Sequence, residues 1–119
     1  MTDKIVIFIT ARNIRESKKI ARHLVQAQLA ACVNILHPIR SVYRWQGKIE
    51  EERECLLIAK STRGLFREIV AEVKKVHSYK TPEILCLPVV DGSPDYLAWL
   101  EGSVKRAGPD GKIENSPGR

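Results

Sequence analysis

The chain has 119 residues, enough for one domain with a real core and too few for two. Hydrophobic residues make up 44% and charged residues 29%, a balance that argues against disordered, collagenous and membrane-spanning classes. Twenty Lys plus Arg against 14 Asp plus Glu give a net charge of +6, which permits acidic partners but is equally served by lysines kept for solubility. The imbalance is uneven, since residues 1–48 are strongly basic and residues 81–104 carry only acidic charge.

No apolar run approaches the roughly 18 residues that span a bilayer, and the start MTDKIVIFITAR lacks the regions of a secretory signal. A cytoplasmic protein without a membrane partner is the expectation. Cys32, Cys55 and Cys86 are far apart, odd in number and set among apolar neighbours. They form no disulfide framework or Cys-x-x-Cys pair and read as buried, reduced thiols.

Residues 4–10, KIVIFIT, are apolar and β-branched and predict a strand buried on both faces. Asn13 and Glu16 have capping-box spacing, and Ile20, Ala21, Leu24, Ala27 and Ala31 form the apolar stripe of a helix over 14–30. Between Cys32 and Lys60 the pattern lengthens into two extended arms that meet at Gln46-Gly47, where glycine supplies a hairpin turn. That turn sets Arg44 against Ile49, Tyr43 against Glu50, Val42 against Glu51 and Arg40 against Arg53. The last pair is repulsive unless a bulge near Pro38 or another turn length relieves it.

Ser61 or Thr62 is placed to cap a second helix, buried through Leu65, Phe66, Ile69, Val70, Val73 and Val76. HSYKTPE reads as a loop, EILCLPVV as a strand, and Ser93-Pro94 as the start of a short third helix with Tyr96, Leu97, Trp99, Leu100 and Val104. Residues 1–104 make the domain. Residues 105–119, rich in Gly, Pro and charge, read as a mobile polar tail.

The order β-α-β-β-α-β is that of a ferredoxin-like α+β sandwich, here with an extended central hairpin and an extra C-terminal helix. Right-handed crossovers favour the strand order 4-1-3-2, and Pro38 and Pro88 then fall on the two edges. Each arm runs about thirteen residues, roughly 43 Å, against about seven residues for the first strand. The overhang has no partner in its own sheet, so a cyclic homo-oligomer is expected, with Tyr43 and Trp45 as interface anchors.

The stretches QLAACVNILHPIRSVYRWQGKIE, ECLLIAKST and HSYKTPEILCLPVVDGSPDYLAWL closely resemble the CutA family of divalent-cation tolerance proteins, over about residues 4–104. The resemblance implies a ferredoxin-like fold, a cytoplasmic homotrimer held by the hairpin arms, an architecture akin to PII-type signalling proteins, and a link to copper and other heavy metals without a defined catalytic activity. Some relatives are credited with copper ligation by a cysteine ending strand one and two adjacent histidines before Tyr-x-Thr-Pro-Glu. Here those positions hold Ile9, Val76 and His77, so His77 alone is a metal candidate.

Among the other polar groups, His23 and His37 lack partners at ligand spacing and read as surface or structural residues. His77 at a helix end also suits the dipole there. Strand alternation sends Glu50, Glu52 and Glu54 to one face and Glu51 to the other, and all four read as solvated, arginine-paired edge charges. Tyr79, Thr81 and Glu83 in a rigid loop, with Lys60 and Trp45, are the candidates for a polar inter-subunit cleft that binds a small molecule or divalent cation. No required cofactor is expected.

No nucleophile–base set, P-loop or GxGxxG is present, so catalysis is not expected. RNA readout on the central strands needs aromatics that the third strand lacks, and nucleic acid is not an expected partner. A hydrolase of this fold would need an arginine phosphate cradle, and a copper chaperone a Cys-x-x-Cys after the first strand. The leading expectation is a binding protein of metal response. The alternative is a PII-like signalling or scaffold trimer with a metabolite in its cleft.

Overall fold

A computed structural model describes residues 1–107 and the backbone of residues 113 and 114. Strand β1 (Lys4–Ala11) lies at the centre of a four-stranded antiparallel sheet with β2 (Cys32–Trp45), β3 (Lys48–Thr62) and β4 (Ile84–Pro88), in the order β2-β3-β1-β4. Helices α1 (Ile14–Gln26) and α2 (Phe66–Val76) cover one face, and α3 (Pro94–Gly102) lies by the end of β3. The expected α+β ferredoxin-like architecture and sheet order are both found, with Pro38 and Pro88 on the edge strands.

Two faces of the sheet have different fates. Ile5, Ile7 and Ile9 pair with Ser61, Ala59 and Leu57, and all are fully buried beneath Ile20, Leu24, Ile69 and Val73. Each such aliphatic contributes about 1.5–3 kcal/mol by leaving water. The other face carries Val6, Phe8, Leu56 and Ile58, only half-buried, and Leu36, Leu85 and Leu87, which are 44%, 56% and 41% exposed. Among the described residues none covers these side chains on that second apolar face.

The hairpin register is the one set by Gln46-Gly47, both at positive φ (50° and 80°), with Arg40 opposite Arg53. A register shift between Leu36 and Ile39 forms the bulge at Pro38 but leaves the arginines paired across the ribbon. The repulsion is relieved diagonally instead, where Arg40 Nη1 donates to Glu51 Oε2 at 2.9 Å. Pairing between β1 and β3 ends at Ala11↔Cys55, so residues 48–54 of β3 bond only to β2.

Several boundaries differ from the sequence reading. Helix α1 stops at Gln26, because Gln28 takes positive φ and the chain turns so that the Leu29 and Ala30 N–H groups both reach Leu24 O. Ser61 and Thr62 remain in β3 and cap nothing: the Ser61 hydroxyl donates to Leu29 O at 2.6 Å, and a 3-10 turn, Arg63–Leu65, precedes α2. Asn13 does cap α1, accepting from Glu16 N–H at 2.9 Å. Ser93 makes no side-chain cap, and Pro94 alone sets the start of α3. Cys55 is buried, but Cys32 is half-buried and Cys86 is exposed, because β4 is an edge strand.

The packed region passes residue 104. Lys105 N–H donates to Gln28 O at 2.8 Å, and β5 (Arg106–Ala107) pairs with β6 (Ile113–Glu114). The rest of the expected mobile tail, 108–112 and 115–119, lies outside the described residues. A Cβ added at Gly64 would stand 2.6 Å from Ala107 Cβ, so this glycine allows the close approach. Gly64→Ala is expected to cost about 1–3 kcal/mol in chemical denaturation, with most of it restored in the Gly64→Ala/Ala107→Gly double variant. Equal stability of Gly64→Ala and the parent would show that the contact does not form.

Candidate functional site

Beyond the end of β1 the hairpin and the loop before β4 enclose a cleft of about 780 Å³. Its place follows from strand parity. Pairing of Tyr43 with Glu50, Ser41 with Glu52 and Ile39 with Glu54 puts these side chains on one face of the ribbon, continuous with the open face of the sheet. The loop 79–83 runs alongside because β4 begins opposite Ile9, and Tyr79, Lys80, Thr81 and Glu83 supply the other wall.

The carboxylates are held by phenols. Tyr43 OH donates to Glu52 at 2.5 Å and Tyr79 OH to the buried Glu54 at 2.8 Å. Hydrogen bonding to Glu52, with smaller effects of burial and the neighbouring glutamates, pushes the Tyr43 phenol up to about 12. Burial, followed by the bond to Glu54, pushes Tyr79 up as well. Arginine pairing, expected for these glutamates, holds among the described residues only for Glu51 on the opposite face.

Trp45, Tyr79, Thr81 and Glu83 come together in the cleft, and Tyr43 joins them. Lys60 does not. It shares the face of Glu54 but stands six residues further along β3, roughly 20 Å away, where its ammonium donates to Asn34 Oδ1. Tyr43 and Trp45 are 37% and 52% exposed on the overhang.

His77 is a latch in this chain. Its side chain is fully buried; Nδ1 accepts from Tyr79 N–H at 3.0 Å and Nε2 stands 2.8 Å from Thr10 O. Because a backbone N–H can only donate, the partners assign the neutral tautomer with the proton on Nε2. Both lone ring positions are thus committed to tying the 79–83 loop to the end of β1. Glu16 completes the tie. Burial pushes its carboxyl up, but hydrogen bonds from Ser78 and from Arg12 N–H outweigh that and hold it below the ordinary carboxylate range.

His77 leaves no nitrogen for a metal ion, and no group of three or more His, Cys, Asp or Glu able to hold one occurs among the described residues. The single chain therefore does not fit a dehydrated thiolate–imidazole copper centre. His23 pairs with Glu72 at 2.8 Å and His37 Nδ1 lies 3.2 Å from Cys55 Sγ, both contacts between elements of the fold. The shared face of Glu50, Glu52 and Glu54 was readable from strand alternation; the tyrosine partners of Glu52 and Glu54, brought from 25 residues away in the case of Tyr79 with Glu54, were not.

An antiparallel sheet with helices on one face, an open apolar face and an overhanging hairpin beside an acidic, aromatic cleft defines a ferredoxin-like α+β protein. A family model described as CutA1 divalent ion tolerance protein matches residues 5–103. The divalent-cation tolerance protein CutA of Thermus thermophilus is 43% identical over 95 residues, covering 80% of this chain and 92% of that protein. The chloroplastic CutA of Arabidopsis thaliana is 43% identical over 101 residues, covering 85% of this chain but 56% of that longer protein. The crystal structure of CutA1 from Oryza sativa superposes with a TM-score of 0.85 at 38% identity, covering 87% of this chain and 95% of that one. The chain belongs to the CutA1 divalent ion tolerance family.

The phenols provide a direct test of the cleft. All three tyrosines, Tyr43, Tyr79 and Tyr96, are raised from the ordinary value of 10.0. A phenol raised in the fold contributes stability that is complete below the unfolded value and is lost as pH rises through the folded one. Ultraviolet titration is expected to show phenolate appearing only above pH 10.0, with Tyr43 near 12, and Glu52→Gln is expected to bring one phenol down. Three phenols titrating together at their ordinary value would remove the carboxylate contacts from the account.

Proposed function

We propose that the protein is a cytoplasmic homotrimer of the divalent-cation response that binds an ion or small ligand in its hairpin clefts and catalyses nothing. The observation that carries this reading is the hairpin overhang, whose outer backbone groups in residues 48–54 have no strand partner among the described residues. Unpaired ladder edges of that length invite another chain, and different edges meeting head to tail close into a ring. The uncovered apolar face of Phe8, Ile58, Leu85 and Leu87 adjoins the same hairpin and supports burial between copies.

The cleft lies where such a neighbour would complete it. Its volume is in the range of small-molecule sites, roughly 300–1,000 Å³, which favours a metabolite-sized ligand or a hydrated cation over a tightly caged ion. Glu50, Glu52 and Glu83 are the groups that would attract a cation, copper included, and Tyr43, Trp45, Tyr79 and Thr81 would contact it. The name of the Thermus relative supports a role in divalent-cation tolerance. Three free cysteines suit a reducing compartment, and no described helix is long and apolar enough to cross a membrane.

One experiment covers both parts. Sedimentation at micromolar concentration is expected to give three times the 13.5 kDa chain mass, and titration calorimetry of that species with copper, zinc and nucleotides a saturable heat. Glu83→Ala should weaken the binding about tenfold, and His77→Ala should lower stability. A 13.5 kDa species would overturn the assembly, and no saturable heat with any of these ligands would overturn the binding role.

A further inference from the structure

We propose that the outer face of α1 and α2 is a docking surface for an anionic lipid membrane. On α1, Arg15, Lys18, Lys19 and Arg22 stand at i, i+3, i+4 and i+7, away from the buried Ile20, Ala21 and Leu24. That spacing aligns four cations in one stripe. On α2, Arg67 and Lys74 stand two turns apart on the exposed side, away from Ile69 and Val73. The two helices lie side by side on the same sheet face, bridged by His23 and Glu72 at 2.8 Å.

All six cations are exposed, and among the described residues none of them makes an ion pair. The acids of the same layer are already engaged. Glu72 binds Lys75 at 2.6 Å as well as His23, Glu68 faces Lys105 at 3.9 Å, and Glu16 accepts from the Arg12 and Ser78 N–H groups. Contacts within the layer thus occupy its acids and leave these six cations without an ion pair among the described residues. Lysines kept only for solubility would be interspersed with free acids, whereas here Glu50, Glu52 and Glu83 gather in the cleft on the other side of the sheet.

The shape selects the partner. The layer carries no Tyr or Trp, and Phe66 of α2 packs against the core, so it offers no aromatic platform for the bases of a single strand. A rigid duplex would meet two side-by-side helices along one line of phosphates, while a lipid surface meets both stripes together. The expectation of no membrane partner follows from the lack of a spanning segment, and surface contact needs none. The trimer proposed above uses the opposite sheet face and the strand edges, so this face stays accessible in it, and docking does not depend on that assembly.

Co-sedimentation of the full chain with vesicles of phosphatidylcholine containing roughly a third phosphatidylserine tests the proposal. Binding is expected to those vesicles and not to phosphatidylcholine alone, and to weaken as salt rises from roughly 0.05 to 0.3 M. Each basic residue near an anionic surface multiplies affinity roughly fivefold, so Arg15→Glu/Lys19→Glu should reduce binding by about 25-fold or more. Arg44→Glu/Lys48→Glu changes net charge equally at the hairpin and should stay within about twofold of the parent. Circular dichroism checks that both variants fold, and Lys18→Gln/Arg22→Gln gives a second, milder test of the stripe. Equal losses in the helix and hairpin pairs, no preference for phosphatidylserine, or capture of duplex RNA with the vesicles left unbound would each overturn the proposal.

Discussion

A backbone ladder offers hydrogen bonds on both sides, and among the described residues the overhanging part of β3 is paired on one side alone. Strand β3 has fifteen residues and β1 has eight, so the lower part of β3 is held between two neighbours while the upper part has only β2. Unmet N–H and C=O groups are individually inexpensive in water, but beside an uncovered apolar face they mark a surface completed from outside. The position of the cleft, the exposure of Tyr43 and Trp45, and the assembly that would bury them all follow from that mismatch in strand length.

The same mismatch explains the latch at His77. Where β1 ends, the 79–83 loop takes the place beside β3, and it is fastened there by His77 to Thr10 O, by Glu16 to Ser78 N–H and by Tyr79 to Glu54. These bonds carry the loop just far enough to face Glu54 and no further. An imidazole used in this way serves the shape of the cleft and is closed to metal chemistry.

Much of this was legible in the sequence because it is dictated locally. Gln46-Gly47 fixed the hairpin and hence the parity of Glu50, Glu52 and Glu54, and Pro38 and Pro88 identified the edges before any sheet was drawn. The readings that failed depended on tertiary partners. Ser61 looks like a helix cap, yet its hydroxyl is captured by Leu29 O across the fold. Lys60 shares a face with the cleft residues, but alternation gives the face and not the position along it. His77 looks like a free ligand until Thr10 and Tyr79 are seen to occupy both nitrogens. Lys105 to Ala107 reads as tail until Gly64 is seen to admit Ala107.

Hydrogen exchange resolved at single amides tests the central claim most directly. In an isolated two-stranded ribbon every second amide bonds across the pair and the intervening ones point to water, so protection alternates along the strand. The account predicts that residues 48–54 of β3 or 39–45 of β2 show unbroken protection in consecutive amides, because a neighbouring copy bonds the outward-facing ones. Alternating protection along both arms, unchanged as concentration rises, would mean that the overhang stands alone and would contradict the account.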